Sequence, residues 1–195
     1  MKILILLVAG LLSAGSAFGQ GTVIFANTGS PDYRLLTNNG SASGLMAGTN
    51  QWRIGLYVGS SESSLVLVGL TTNAANPAVA GYFSGGNPFF LPSPYGVGDR
   101  VTFQVRAWAS AGGLTHTEAL LGGSLVGMSS LGFVTLGGGI DFPGPLFGTN
   151  PGQIGGFTIG IPEPSSFPLA VPEPATYALG LLGVVLFGLL RRRRR

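Results

Sequence analysis

Short apolar runs, interrupted by glycine, asparagine, serine and proline, fill residues 20–160 and limit what this chain can fold into. No part of this region sustains the 3.6-residue apolar period of an amphipathic helix, so we expect few helices. Glycine accounts for 34 of the 195 residues, which is more than twice its usual share. The region is therefore predicted to be a glycine-rich, all-β body.

Several segments of this body have the length and composition of strands. They are residues 22–26, 52–58, 64–70, 78–83, 100–109, 131–136 and 155–159. Segment 100–109 alternates most clearly, with Val101, Phe103, Val105, Ala107 and Ala109 on one face. Such strands, separated by turn residues, predict an antiparallel β-sandwich or jelly-roll-like domain over 20–160. A parallel β-solenoid would need a fixed-period repeat, which the sequence does not show. The glycine-rich segment 137–152 is predicted to be a loop.

The rarity of chemically versatile side chains excludes several classes of function. The chain has no cysteine, which excludes disulfide frameworks, thiolate metal sites and thiol catalysis. Its one histidine, His116, excludes sites with several histidine ligands, and its one lysine, Lys2, excludes a P-loop lysine and a lysine-rich nucleic-acid surface. Between Lys2 and the C-terminal arginines, four arginines and seven carboxylates give a formal charge of −3. We therefore expect no nucleic-acid partner and no cofactor.

Residues 1–19 have the organisation of a secretory signal peptide. Lys2 precedes the apolar run 3–12, and small residues then lead to Ala17-Phe18-Gly19. The apolar run is too short to span a bilayer, and the small-x-small pattern is typical of signal peptidase cleavage. A buried core helix would instead show polar residues on one face. We predict export through the secretion translocon and cleavage between Gly19 and Gln20.

The C-terminal residues combine a proline-rich motif, an apolar segment and a cluster of arginines. The motif is Val171, Pro172, Glu173 and Pro174; the uncharged segment is 175–190; the cluster is Arg191, Arg192, Arg193, Arg194 and Arg195. A helix of these 16 residues covers about 24 Å of a hydrocarbon core of about 30 Å. Arginine snorkelling and local thinning of the bilayer can compensate for the difference. We predict a single transmembrane helix with the arginines on the cytoplasmic side, an orientation that agrees with the signal peptide.

These three parts, in this order, resemble the PEP-CTERM sorting signal of exosortase-dependent bacterial proteins. Scattered body segments are similar to secreted PEP-CTERM proteins of Verrucomicrobia-like bacteria, which generally have no assigned activity; these segments include QGTVIFANT, GLYVGSS, GYFSGG, VTFQVRAWAS and HTEAL. The resemblance implies that a membrane protease, exosortase, recognises and processes residues 171–195. It implies an intermediate anchored in the inner membrane, and then the cell envelope, cell surface or extracellular matrix. An ordinary C-terminal anchor would explain the apolar segment and the arginines, but not the Pro-Glu-Pro motif.

A similar tetrapeptide, Ile161-Pro162-Glu163-Pro164, lies ten residues upstream of the motif at 171–174. No apolar helix adjoins it, and Ser165, Ser166 and Pro168 follow it. We interpret 161–170 as a proline-rich linker between the body and the sorting signal.

His116 and Glu118 are the first candidates for chemistry. In a strand, the two side chains would share a face and could form an acid–base pair or part of a weak metal site. At a turn or a helix start, they would be ordinary polar residues. No G-x-S-x-G motif supports a serine nucleophile. Glycoside hydrolysis needs two carboxylates close together, and only the fold could pair two of Glu62, Asp99, Glu118 and Asp141. We therefore predict that the chain is not an enzyme and holds no metal.

Gln104, Arg106 and Trp108 form a candidate ligand face, because they alternate with the apolar positions of segment 100–109. An exposed tryptophan beside an arginine can stack on a sugar ring. We favour the other interpretation, in which a loop or a neighbouring strand covers Trp108, since tryptophan is usually well buried. The sequence thus favours an exported structural or interaction protein. A carbohydrate-binding module for extracellular polysaccharide is the alternative, followed by an ice-binding protein and a small secreted hydrolase.

Overall fold

The computed structural model describes residues 20–74 and 76–162, and these residues form a body built mainly of short strands. The strands are β1 (Thr22–Ala26), β2 (Leu36–Asn38), β3 (Ser43–Leu45), β4 (Trp52–Gly59), β5 (Val66–Thr72), β6 (Ser84–Phe90), β7 (Arg100–Ala109), β8 (Val126–Met128), β9 (Gly132–Thr135), β10 (Gly144–Pro145) and β11 (Thr158–Gly160). One α-helix lies in the described part of the chain, α1 (His116–Leu121), with 3-10 turns at Pro31–Tyr33, Glu62–Ser64, Pro77–Val79 and Ser110–Gly112. The predicted all-β body is confirmed.

The strands form two sheets. The small sheet has the order β10-β1-β6. The large sheet has the order β3-β2-β11-β8-β7-β4-β5, and β9 pairs with the N-terminal half of β7, on which Arg100 lies opposite Thr135. Strand β7 is thus a central strand of the large sheet, and β4 pairs with its residues 102–109.

The alternation in β7 positions the core as the sequence predicts. Val101, Phe103, Val105 and Ala107 are all buried, and Ala109 packs against them in part. Both sheets contribute to this core. The small sheet provides Val23 and Phe25 of β1, and the large sheet provides alternate residues of β4, such as Ile54 and Leu56, beside those of β7. Because one apolar cluster connects the two sheets, the core lies between their inner faces.

Most predicted strands are observed, with ends shifted by a few residues, but the strand predicted over 78–83 is wrong. The chain there forms the 3-10 turn Pro77–Val79 and then a turn at Gly81, which has a positive φ of 82°. The Asn76 side chain accepts a hydrogen bond from the Ala78 N–H, an arrangement that favours a turn over a strand. Apolar residues in this segment therefore indicate burial, as Phe83 shows, without indicating a strand.

Strand β6 follows this turn, and its sequence, SGGNPFF, does not resemble a strand. Glycine at position 85 is required by packing: a Cβ there would overlap the ring of Phe25, which lies directly over it. Phe25 in turn makes edge-on contacts with Phe83 and Phe89, with ring centroids 5.3 and 5.6 Å apart. The glycine that weakens the strand pattern is thus what lets the aromatic cluster pack.

Replacing Gly85 with alanine is expected to destabilise the protein by roughly 1–3 kcal/mol, the usual cost of overfilling a packed site. Gly44, a strand glycine in β3, is a matched control because a Cβ there would meet nothing within 4 Å. Urea unfolding of both variants measures the difference. If Gly85→Ala is as mild as Gly44→Ala, the packing of Phe25 over Gly85 does not constrain this position.

The predicted purely antiparallel arrangement needs correction at two pairs. Strand β1 pairs in parallel with β10, and β2 pairs in parallel with β11. Parallel partners need a long connection between them, and in both pairs the connection is most of the body. Sequence patterns report local alternation and contain no signal for such distant partners.

Within the described residues, no helix has both the length and the apolar character needed to cross a membrane. The predicted signal peptide 1–19, the sorting signal 171–195 and the transmembrane helix 175–190 lie outside those residues, as does the linker after Pro162.

Candidate functional site

The candidate ligand face lies on the outward side of β7, where β4 and α1 meet it. The pairing of β4 with β7 sets Gly55 opposite Arg106 and Tyr57 opposite Gln104. Because the strands alternate, Gln104, Arg106 and Trp108 do share one face, as predicted, and Tyr57 joins them.

Trp108 on this face is fully buried, with no exposed surface. It packs against Ala119 of α1 and Val126 of β8, and its indole Nε1 donates a hydrogen bond to the Gly113 carbonyl at 3.2 Å. Gly55 leaves room below the ring, because a Cβ there would lie 3.2 Å from Cζ3 of Trp108. The indole therefore has no free face for a sugar. Trp108 is a covered, packed residue, as one of the two interpretations of the sequence expected.

Arg106 and Gln104 are engaged with each other and with neighbouring residues. Arg106 Nε donates to Gln104 Oε1 at 2.8 Å, and Gln104 Nε2 donates to the Ser129 carbonyl at 3.1 Å. The guanidinium carbon of Arg106 lies 4.2 Å from the centre of the Tyr57 ring, which is a cation–π contact. These contacts connect β4, β7 and the segment after β8 on the outer side of the sheet.

The Tyr57 hydroxyl lies where this cluster meets the start of α1. Burial raises the pKa of Tyr57, while the Arg106 charge and a hydrogen bond from the backbone N–H of His116 offset part of the rise. No sequence motif marked Tyr57, although its alternate position in segment 52–58 places it on the outward face. What the sequence lacks is the register that sets it beside Gln104 and Arg106.

Glu118 has a structural role at the start of α1. Its Oε2 accepts hydrogen bonds from the backbone N–H groups of Leu114, at 2.7 Å, and Thr115, at 3.2 Å. The Thr115 hydroxyl accepts one in return from the Glu118 N–H at 3.1 Å, which completes a capping box. Of the two alternatives for His116 and Glu118, the helix start is the observed one.

His116 is buried below this cap, with 3% of its surface exposed. Its ring meets the Trp108 ring edge-on, with centroids 6.0 Å apart, and its buried Nε2 has no hydrogen-bond partner. Burial, with a smaller effect of the Arg106 charge, lowers the pKa of His116 to about 4. The histidine is therefore neutral at ordinary pH, and its environment is that of a core residue.

The other candidate carboxylates lie in separate local motifs. Asp99 accepts a hydrogen bond from the Gly96 N–H at 2.7 Å, Glu62 lies in a 3-10 turn, and Asp141 lies in a tight turn before β10. Within residues 20–74 and 76–162, no group of three or more acidic or histidine side chains could hold a metal ion.

Of the residues predicted to direct export and sorting, only Gln20 lies in the described part of the chain. It is exposed and forms a β-bridge with Gly96, and the next residue, Gly21, donates to the Tyr95 carbonyl at 3.1 Å. Ala17, Gly19, the motif Val171 to Pro174 and the cluster Arg191 to Arg195 lie outside it. Gln20, the residue that follows the predicted cleavage site, is therefore paired with the body.

Comparison with known protein families gives a match at the C-terminal end. Residues 170–195 match the PEP-CTERM protein-sorting motif. No curated protein and no solved structure gives a significant match to the chain. The resemblance that the C-terminal residues showed is therefore confirmed, and the chain carries a PEP-CTERM sorting motif.

Proposed function

We propose that this chain is an exported structural or interaction protein of the cell envelope or extracellular matrix, released from a membrane-anchored intermediate by exosortase. The observation that carries the proposal is the sorting motif at 170–195. This motif indicates recognition by exosortase, a membrane protein, and export to the cell surface or extracellular space. Signal peptidase cleavage before Gln20 and processing within 171–195 are the further steps of the proposal.

A structural or interaction role is supported by the candidate site residues, because each of them packs against or caps another part of the body. Trp108 packs under α1, Arg106 lies over Tyr57, and Glu118 caps a helix. We infer that the two sheets act as a stable β-sandwich carried by the sorting motif, without catalysis. Binding of polysaccharide through Trp108 is not part of this proposal, because the indole is buried.

The proposal predicts that the Pro-Glu-Pro motif at 172–174 controls processing. In the native host, the mature protein is expected to begin at Gln20 and to lack Arg191 to Arg195. Glu173→Ala should leave the arginines in place, because it removes the only charged side chain of the Pro-Glu-Pro motif. Intact mass and sequencing of both termini measure these outcomes directly.

Glu163→Ala is the matched control, since Glu163 occupies the equivalent position in the upstream tetrapeptide. It should be processed like the unmodified protein. A native protein that keeps Arg191 to Arg195 would show that the C-terminal segment is a permanent anchor, and the sorting proposal would fail.

A further inference from the structure

The tight turn before β10 presents two apolar side chains almost entirely to solvent. Gly138 and Asp141 exchange backbone hydrogen bonds of 2.9 and 3.0 Å, and Gly139 between them has a positive φ of 60°. Ile140 is 97% exposed and Phe142 is 94% exposed. The next most exposed large apolar side chain among the described residues is Leu114, at 67%. We call residues 138–142 the apolar tip.

The apolar tip lies beside the N-terminal edge of the body. Gly137, just before it, exchanges backbone hydrogen bonds of 2.8 and 3.0 Å with Thr22. A Cβ at Gly138 would lie 2.6 Å from Cγ2 of Val97 and 3.0 Å from the carbonyl oxygen of Gln20. The chain therefore enters the body next to the tip, at the residue that follows the predicted signal peptide.

Resting on the proposed function, we propose that the apolar tip inserts Ile140 and Phe142 into the interface of the membrane from which the chain is released. A single turn offers far less area than the roughly 800 Å² per partner of a specific protein interface, whereas a bilayer needs no complementary surface. Gly138 and Asp141 pair their backbone groups with each other, and at headgroup depth water still reaches the other backbone groups of the turn, so a shallow position leaves no backbone group unsatisfied in hydrocarbon. The sorting motif brings the chain to a membrane protein, and thus to lipid.

Asp141 limits how deep this insertion goes. Its carboxylate lies between the two apolar residues and must stay at the level of the headgroups, because an ionised group is costly in hydrocarbon. It also disfavours anionic lipids by repulsion. The tip is therefore a shallow anchor for a zwitterionic surface, and it holds the body against the membrane until processing removes the tail.

Depth-dependent fluorescence quenching of the full chain tests this inference. Trp52 and Trp108 are buried, so a tryptophan introduced by Phe142→Trp reports on the tip. The full chain is placed in phosphatidylcholine vesicles with or without brominated acyl chains. Fluorescence of the Phe142→Trp variant should be quenched in the brominated vesicles, and the added substitution Ile140→Ser should abolish most of that quenching.

Leu114→Trp is the matched control. Leu114 is exposed and lies beside the Trp108 end of β7, whereas the tip lies near the Arg100 end, about 30 Å away along the strand. Its added fluorescence should be unchanged by bromination.

Vesicle flotation separates the two proposals. A chain that floats without quenching at position 142, or with equal quenching at 114 and 142, overturns the tip inference and leaves the sorting proposal standing. A chain that does not float refutes the membrane-anchored intermediate, and the tip inference with it. Self-association that is lost in Ile140→Ser, without quenching in vesicles, would assign the tip to a second copy and overturn the lipid inference.

Discussion

Replacing Trp108 with alanine is expected to destabilise the protein by about 3–5 kcal/mol, the usual range for removing a large buried aromatic side chain. The indole fills the space between α1 and β7, and its loss would leave a cavity next to Ala119 and Val126. It would also remove the hydrogen bond to the Gly113 carbonyl. Thermal unfolding should show the melting temperature falling by roughly 10 °C.

Trp108→Phe separates the parts of this effect. Phenylalanine keeps an aromatic ring beside His116 but cannot donate to Gly113, so we expect a smaller loss than in Trp108→Ala. The variant also remains measurable if Trp108→Ala does not fold. A Trp108→Ala protein of nearly unchanged stability would contradict the packing interpretation and return the indole to the list of candidate binding residues.

For Trp108, the direction of the side chain could be predicted from the sequence, but the element that covers it could not. The alternation within 100–109 placed it correctly on the face opposite Val101 and Phe103, because side-chain direction in a strand is a local property. Whether that face is covered depends on α1, which returns over the sheet after the Ser110–Gly112 turn. The usual burial of tryptophan favoured a covered position, and the packing of α1 over the ring is what covers it.

The same distinction explains the outcome for the strands. Segment 100–109 has local alternation and segment 22–26 is a short run of strand-forming residues, and the observed strands have the same bounds. Strand β6 was missed because its glycines make room for Phe25, a residue distant in sequence. The parallel pairs of β1 and β2 were missed because their partners lie near the other end of the body.

The C-terminal motif could be predicted because it does not depend on residues distant in sequence. Its recognition depends on a linear order of motif, apolar segment and arginines, so no tertiary contact is needed to identify it, and the match at 170–195 agrees. The apolar tip had no such signal. Ile140 and Phe142 lie in a glycine-rich loop in which apolar residues could equally have been buried.

The stability of the body is expected to fall as the pH is lowered from 6.5 to about 4, because His116 is buried in its neutral form. Its pKa is lowered from 6.5 to about 4 in the folded protein. Above pH 6.5 the histidine is neutral in both states and has no effect on stability. Below pH 6.5 the unfolded chain takes up a proton that the folded protein does not, so the free energy of unfolding falls by about 1.4 kcal/mol per pH unit. The total loss is up to about 3 kcal/mol and levels off near pH 4, where the folded protein also becomes protonated.

Urea unfolding between pH 7.5 and 4 measures this loss, and His116→Gln is the control. His116 is the only histidine, and no other side chain has an ordinary pKa between 5 and 6.5, so the slope in that window belongs to it alone. His116→Gln should abolish the slope there, and His116→Phe serves the same purpose if glutamine packs poorly beside Trp108. The Arg106 charge adds to the loss of stability, because it opposes a second positive charge on His116. Arg106→Gln should therefore raise the pKa of His116, so that the free energy of unfolding stops falling at a higher pH. A slope between pH 5 and 6.5 that persists in His116→Gln would refute the assignment and show that the histidine is not held neutral in the folded protein.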